Sequence, residues 1–170
     1  MTFEDVARLR SLLWRAFGDD PEEGFSEDDW SHALGGWHVL AEDGDVLLSH
    51  ASVIRRTLEI DGRSWDTGYV EAVASDPAHQ GQGIGTQVMN VIGGIIQEEY
   101  QLGALGTGSF HFYERLGWRR WQGQSGVRTP WGTNRTPDDD GFIMVLLTPK
   151  SASIDLRSLI TCNWRQGDVW

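Results

Sequence analysis

Two groups of residues in this chain could do chemistry by type and spacing. The first is the run Gln80-Gly81-Gln82-Gly83-Ile84-Gly85. Before it, Tyr69-Val70-Glu71-Ala72-Val73-Ala74 reads as a buried strand; after it, Val88, Val91, Ile92, Ile95 and Ile96 recur at helical spacing within residues 86–100. A glycine-rich turn between strand and helix leaves several backbone N–H groups available and aims them at one spot. The positive end of the helix dipole adds to them, so an anion can be bound there without a lysine. The second group is a set of carboxylates in runs: Asp19-Asp20, Glu22-Glu23, Glu27-Asp28-Asp29 and Asp138-Asp139-Asp140. Facing one cleft, they would attract a polycation and raise its encounter rate; spread over the surface, they would serve only solubility.

The two common readings of a glycine loop do not fit. A dinucleotide fingerprint needs glycines at its first, third and sixth positions, and counting from Gly81 the sixth is Thr86. A nucleotide P-loop needs Gly-Lys-Ser/Thr, and the run holds no lysine. It does match Gln/Arg-x-x-Gly-x-Gly/Ala, and so resembles the pyrophosphate loop of the GCN5-related N-acetyltransferases, which bind acetyl-coenzyme A. Taken alone the hexapeptide also fits a plain glycine-rich turn; strand, loop, helix and a later tyrosine in that order carry the resemblance.

The rest of the chain supplies the elements that must hold these residues. Its 170 residues match one compact N-acetyltransferase domain, residues 1–170. Val6, Leu9, Leu12, Leu13, Ala16 and Phe17 form one stripe of an opening helix over residues 3–17. Ser26 is the N-cap of a second short helix through Leu34, stopped by Gly35-Gly36. Strands follow at 37–41 and 45–58, and Asp61-Gly62 turns the chain into the strand that carries Glu71. The main helix spans 81–99, with Gly93-Gly94 in its middle suited to close approach to a sheet. A strand at 102–105, a helix at 109–116 and strands at 117–121 and 142–147 come next, with a loop rich in Gly, Pro and Thr before the last. Residues 154–164 form a weaker final element. The fold class expected is α/β (α+β): a mixed, mostly antiparallel sheet flanked by helices, as in the GCN5-related N-acetyltransferases. That fold begins with an edge strand, yet Met1 stands almost at the first helix; a missing edge would leave a neighbouring strand open to pairing in a homodimer.

A net charge of −11 argues against nucleic acid as a partner. No apolar run is long enough for a membrane span and no leader is evident, so a cytoplasmic protein is expected. Cys162 is alone and fits a buried structural thiol, and the five histidines lack ligand spacing, so no metal is expected.

The resemblance sharpens over nearly the whole chain. Asp29-Trp30, His32-Ala33-Leu34-Gly35-Gly36, Gly68-Tyr69-Val70-Glu71, Tyr100-Gln101-Leu102-Gly103-Ala104-Leu105, Arg135-Thr136-Pro137-Asp138-Asp139-Asp140-Gly141 and the ending Trp164-Arg165-Gln166-Gly167-Asp168-Val169-Trp170 resemble the aminoglycoside 2′-N-acetyltransferases. The resemblance implies acetyl-CoA-dependent acetylation of an aminoglycoside at its 2′-amine, coenzyme A as product, and antibiotic resistance. The drugs are polyamines, which gives the acidic bias a partner.

The same resemblance implies roles residue by residue. A sugar ammonium must lose a proton before its nitrogen can attack, and Glu71 would be the general base, directly or through water. The alternative is a carboxylate that only binds an ammonium. Tyr113, in Phe112-Tyr113-Glu114-Arg115-Leu116-Gly117, would be the general acid for the leaving thiolate; the alternative is an aromatic packing residue. Val73, Ala74 and Ser75 would pair with the pantetheine arm as an added strand, and Gln80, Gly81, Gln82, Gly83, Ile84 and Gly85 would hold the pyrophosphate. The aminoglycoside would meet Asp29, Glu71, Ala72, Gly106, Asp138, Asp139, Asp168 and Trp170, whose terminal carboxylate adds a charge beside a large ring. The acidic triplet could instead be a solvated turn, and a chain end is ordinarily frayed.

Two departures limit the transfer. Gly24, with Glu23 adjacent, stands where the family has an acidic residue, and Gly106 stands where it has a serine-type contact. Trp30, Trp65 and Trp118 fit a core; Trp121 and Trp131 could line a sugar cleft, with no spacing that decides it. The same chemistry on another amine, such as a cell-wall amino sugar, or a non-catalytic binder of cationic sugars, are the other readings.

Overall fold

The computed structural model describes residues 3–18 and 24–170. Asp19, Asp20, Glu22 and Glu23, part of the expected acidic loop, lie outside the described residues. Helix α1 is Phe3–Phe17 and helix α2 is Glu27–Ala33. Strands β1 (Trp37–Asp43), β2 (Val46–Ile60) and β3 (Arg63–Ser75) follow, then helix α3 (Ile84–Glu99) and strand β4 (Leu102–Gly106). Helix α4 (Phe110–Glu114) precedes strands β5 (Arg119–Arg120), β6 (Ser125–Thr129), β7 (Gly132–Arg135), β8 (Ile143–Leu147) and β9 (Ile160–Asn163). None of the described helices is long and apolar enough to cross a membrane.

The chain divides into two compact units, and β2, β3 and α3 run through both. Unit one comprises residues 1–54 and 70–92. In it Leu9, Leu12 and Leu13 of α1 are buried with Trp30 of α2, Leu47 of β2 and Ala74 of β3. The expected stripe holds except at its end: Phe17 is exposed and stacks on Phe25 with ring centroids 5.3 Å apart. Helix α2 opens on a capping box, because Ser26 and Asp29 bond each other's backbone N–H groups. Gly36 leads into β1 at φ +76°, and a Cβ there would collide with the Val53 carbonyl, so only glycine fits. Strand β1 pairs antiparallel with β2, and no strand precedes α1 among the described residues.

Unit two comprises residues 55–69 and 93–170. Its strands are ordered β5-β8-β4-β3-β2-β9-β6-β7. The β3–β4 and β6–β9 pairs are parallel, while β4–β8, β5–β8, β6–β7 and β2–β9 are antiparallel. Asp61 (φ 50°) and Gly62 (φ 73°) both take left-handed backbone, the signature of the hairpin turn their sequence announces. Trp65, Trp118 and Trp121 are buried, and Trp121 packs in the core of unit two.

Three expectations change here. The glycine loop is longer, since α3 begins at Ile84 rather than at residue 81. Close approach involves strand glycines instead of Gly93-Gly94: a Cβ on Gly68 would lie 2.8 Å from the Tyr100 ring and one on Gly103 2.9 Å from Leu146 Cβ, whereas Gly94 has nothing within 4 Å. Finally, the supposed loop before β8 contains the β6–β7 hairpin.

Candidate active site

The glycine segment lies in unit one. Strand β3 ends at Ser75, and Asp76 caps a single 3-10 turn by accepting from the Ala78 N–H at 2.9 Å. Arg15 of α1 donates to the other carboxylate oxygen at 3.0 Å. The Ala78 N–H and then the Arg15 guanidinium hold the Asp76 carboxyl below its ordinary range, so this turn is anchored by a charge near neutral pH. From it the exposed loop runs through Gly81 (φ +76°) and Gly83 (φ +80°). A Cβ at either glycine would meet nothing within 4 Å, so the backbone conformation, not crowding, is what demands glycine. The first helical bond of α3 is Gln87 N–H to Gly83 C=O, 3.1 Å. The N–H groups of Ile84, Gly85 and Thr86 precede it and lie at the positive end of a 16-residue helix. This donor set is chemically fit for a pyrophosphate.

Just upstream, β3 departs from regular strand. Ala72 has φ 51°, a left-handed step that a residue with a Cβ rarely takes. Three buried polar side chains of β2 donate to carbonyls around it: Ser52 Oγ to Glu71 at 3.2 Å, His50 Nδ1 to Ala72 at 2.8 Å and Ser49 Oγ to Ala74 at 2.8 Å. Glu71, Ala72 and Val73 are half-buried. His50 also meets His38, Nε2 to Nδ1 at 3.0 Å. The histidines scattered along the chain therefore include a bonded pair. The register brings them together: after a bulge at Ala41/Glu42, His50 pairs with Leu40 and His38 with Ser52, so the two imidazoles are diagonal neighbours across an antiparallel ladder.

Asp29, also in unit one, has structural work. Its Oδ2 accepts from Ser26 N–H at 2.9 Å and from Ser26 Oγ at 2.7 Å, closing the capping box of α2.

Unit two holds the other candidates. Tyr113 on α4 is buried, with edge-on contacts to Phe112 (4.9 Å) and Trp118 (6.1 Å between centroids). Burial pushes its phenol up to about 12, so it stays protonated through the neutral range. That is compatible with a hydrogen-bond donor and equally with a packed aromatic.

The acidic triplet divides into different jobs. Asp140 accepts from Ser125 N–H (2.7 Å), Ser125 Oγ (2.8 Å) and Arg135 (2.6 Å). Burial opposes its charge, but these donors outweigh it and hold the carboxyl below its ordinary value, making Asp140 an anchor for β6 and β7. Asp139 goes the other way. Burial raises it, and the charges of Asp168, Asp138 and Asp140 raise it further against a bond from Thr136. Carboxylates that repel one another in this way would be eased by a cation placed among them.

The segment after β9 brings the remaining residues together. Trp170 is buried in the core of unit two, and its indole Nε1 donates to Thr136 Oγ1 at 3.1 Å. Its backbone N–H donates to Asp168 Oδ1 at 3.2 Å. Arg56 donates to the Val169 carbonyl at 2.8 Å and Arg165 Nε to that of Asp168 at 2.6 Å, so this segment is packed rather than frayed. A Cβ on Gly106 would lie 3.5 Å from the Trp170 carbonyl carbon, which makes these two candidates neighbours. Trp131 is 93% exposed at the β6–β7 turn.

Comparison with known proteins gives a consistent family. Residues 1–121 match the profile of the acetyltransferase (GNAT) domain. The chain is 39% identical over 165 residues to the aminoglycoside 2′-N-acetyltransferase of Mycolicibacterium fortuitum, covering 95% of this chain and 83% of that protein. Among solved structures, the GNAT family N-acetyltransferase YhbS of Escherichia coli in complex with CoA aligns with TM-score 0.66 at 16% identity, over 95% of this chain and 86% of that one. A Brucella melitensis GNAT family acetyltransferase in complex with acetyl-CoA aligns with TM-score 0.55 at 20% identity, over 84% and 90%. A GCN5-related N-acetyltransferase of Kribbella flavida aligns with TM-score 0.61 at 18% identity; 73% of this chain is covered, and it spans only 32% of that protein's chain.

Proposed function

This chain belongs to the GNAT acetyltransferase family, and from that premise we propose that its 170 residues act as one domain that acetylates aminoglycosides at the 2′-amine. The observation that carries the choice of acceptor is the carboxylate group of unit two. Asp139 is raised first by burial and then by the charges of Asp168, Asp138 and Asp140, so these carboxylates share one electrostatic field. Gathering like charges costs free energy in the absence of a counter-cation, and a polyamine would relieve that cost by hydrogen-bonding to several of them at once. Gly106 and Trp170 would bound the same acceptor region, and Asp29, Glu71 and Ala72 are proposed as further acceptor contacts on the family resemblance alone.

Acetyl-coenzyme A would supply the acetyl group. The N–H groups of residues 80–85 would hold its pyrophosphate, and the edge of Val73–Ser75 its pantetheine arm, both by main-chain hydrogen bonds. Glu71 would take the proton from the 2′-ammonium, directly or through a water, so that the nitrogen lone pair can attack the thioester carbonyl. Tyr113, a phenol protonated at neutral pH and pushed up to about 12 by burial, would donate to the departing thiolate and regain a proton as the acylated nitrogen sheds its second one. A phenol near 12 is a weak Brønsted acid for this task, so its contribution would come as a hydrogen bond with partial proton transfer. The product amide carries no charge, and the loss of one cationic amine would account for resistance to the drug.

The test is release of free thiol from acetyl-CoA against a panel of amines, with the acetylation position fixed by NMR of the product. Release with aminoglycosides and acetylation at the 2′-nitrogen is the expected result. No release with any aminoglycoside overturns the proposal, and release confined to another amine would transfer the same chemistry to that acceptor.

A further inference from the structure

Ala72 takes a left-handed backbone step in the middle of the segment that leads into the cofactor loop, and something must hold it there. Glycine would take φ 51° without cost, but this chain has a Cβ at that position. The neighbouring strand answers with Ser52, His50 and Ser49, whose side chains bond the carbonyls of residues 71, 72 and 74. His50 is the central member, fully buried, and its bond at 2.8 Å falls on the strained residue itself.

The proton positions in this chain of bonds follow from chemistry. A carbonyl only accepts, so His50 Nδ1 carries a proton toward Ala72. Burial, the larger influence, and the nearby His38 push His50 down to about 4, so at neutral pH the ring is uncharged and Nε2 holds no proton. Nε2 must then accept from His38 Nδ1, 3.0 Å away. His38 thereby fixes the tautomer of His50 that can hold Ala72. Neither histidine is needed for the acetyl-transfer steps described above, yet a buried imidazole with both nitrogens bonded is strongly constrained.

We propose that His50 is a positioning residue for cofactor binding: supported by His38, it pins the Ala72 carbonyl and so sets the backbone of Val73–Ser75 that receives the pantetheine arm. This rests on the reading of that strand as the acetyl-CoA site. In a regular strand successive carbonyls alternate in direction, and a left-handed residue breaks the alternation. Which N–H and C=O groups of residues 73–75 are offered to an added strand therefore depends on the step at Ala72. If the step relaxes, those groups turn and the main-chain bonds to the cofactor are lost.

The experiment is calorimetric titration of the full-length protein with coenzyme A, which needs no acceptor. His50→Asn keeps an N–H at nearly the place of Nδ1, while His50→Leu removes it at similar size. Coenzyme A affinity should fall about tenfold in His50→Leu and stay within about threefold of native in His50→Asn, with His38→Phe between them. Adding Ala72→Gly to His50→Leu should restore part of the lost affinity, because glycine takes φ 51° without the cost that a Cβ imposes. Equal loss in the Asn and Leu variants, or native affinity in the Leu variant, would overturn the proposal. Should the Leu variant not fold, a tenfold loss in the Asn variant does so by itself. Failure of the aminoglycoside reading looks different: native protein would bind coenzyme A and release no thiol with any aminoglycoside.

Discussion

On the proposed reading, the glycine segment of unit one and the acidic segment of unit two would solve opposite recognition problems with opposite materials. Residues 80–86 present main-chain N–H groups, and the side chains matter there chiefly by being absent at Gly81 and Gly83. Residues 136–170 present side chains, brought together from separate stretches of chain by tertiary bonds such as Trp170 to Thr136 and Trp170 to Asp168. A site for an anion can be written into one contiguous hexapeptide, because a helix N-terminus needs only the right turn before it. A site for a polycation needs several carboxylates at once, and here Asp168 joins the adjacent Asp138 and Asp139 from a distant stretch of chain. The first kind tolerates change in side chains, and the second tolerates change in the local backbone.

The largest effect should come from the residue that serves neither kind of binding alone. Glu71→Gln preserves shape and removes the base, so kcat should fall by about 10²–10⁴, the usual worth of general base catalysis. Affinities for coenzyme A and aminoglycoside, measured by titration, should hold within a few-fold. An equal loss in binding and rate would make Glu71 part of the acidic acceptor set instead of the base.

Acid stability separates the two regions next. His50 is depressed to about 4 from an ordinary 6.5. The unfolded chain therefore takes up a proton as pH falls through 6.5 while the folded protein does not, and stability is lost until both are protonated below 4. The loss from this one group is about 3 kcal/mol on full titration. Urea unfolding across the acidic range should show it, and His50→Asn should abolish that portion of the slope. Tyr113 acts at the other extreme, where its raised value near 12 means stability is lost as pH climbs from the ordinary phenol range through that value.

Much of this architecture is legible in sequence wherever a short stretch decides its own structure. The α1 stripe, the Ser26 cap and the Asp61-Gly62 turn form as local pattern dictates, since each is settled by residues within one or two turns of chain. The β6–β7 hairpin was not legible. Apart from Val127 its strand residues are polar or glycine, β7 is exposed throughout, and the ladder is held by distant partners: Arg128 bonds the Thr161 carbonyl at 2.7 Å and that of Thr57 at 2.8 Å. The division of labour within Asp138-Asp139-Asp140 was equally hidden, because Ser125 and Arg135 decide it from another strand. Gly93-Gly94 misled for a related reason: closeness of helix and sheet is set by the pair, and here the strand glycines supply the room. The histidine pair was hidden by a bulge at Ala41/Glu42, which shifts β1 by one residue against β2, so that counting back from the turn places His38 and His50 on opposite faces.

Backbone replacement should act on one region only. Gly83→Ala forces a Cβ into φ +80°, at a cost of about 1–2 kcal/mol with no steric clash. If that cost falls on the bound conformation of the loop, KM for acetyl-CoA should rise about tenfold. KM for the aminoglycoside should not move. A matching loss in both would mean that the loop supports the whole fold rather than the cofactor.

The smallest effects should divide the acidic triplet itself. Asp140→Ala removes the acceptor of three hydrogen bonds, one of them from a guanidinium, and should lower stability by about 1–3 kcal/mol while leaving aminoglycoside KM within a few-fold. Asp139→Asn should do the reverse, raising aminoglycoside KM several-fold at little cost in stability. The pH dependence sharpens this contrast. Asp139 lies above the ordinary carboxyl value, first through burial and then through Asp168, Asp138 and Asp140. As pH falls it is neutralised earlier than a free aspartate, so drug affinity should begin to drop at a correspondingly higher pH. Removing one neighbouring charge with Asp168→Asn weakens the repulsion, and the midpoint of that drop should move to lower pH. A midpoint unmoved in Asp168→Asn would show that burial alone sets Asp139, and the carboxylates would then count as separate surface groups instead of one cation site.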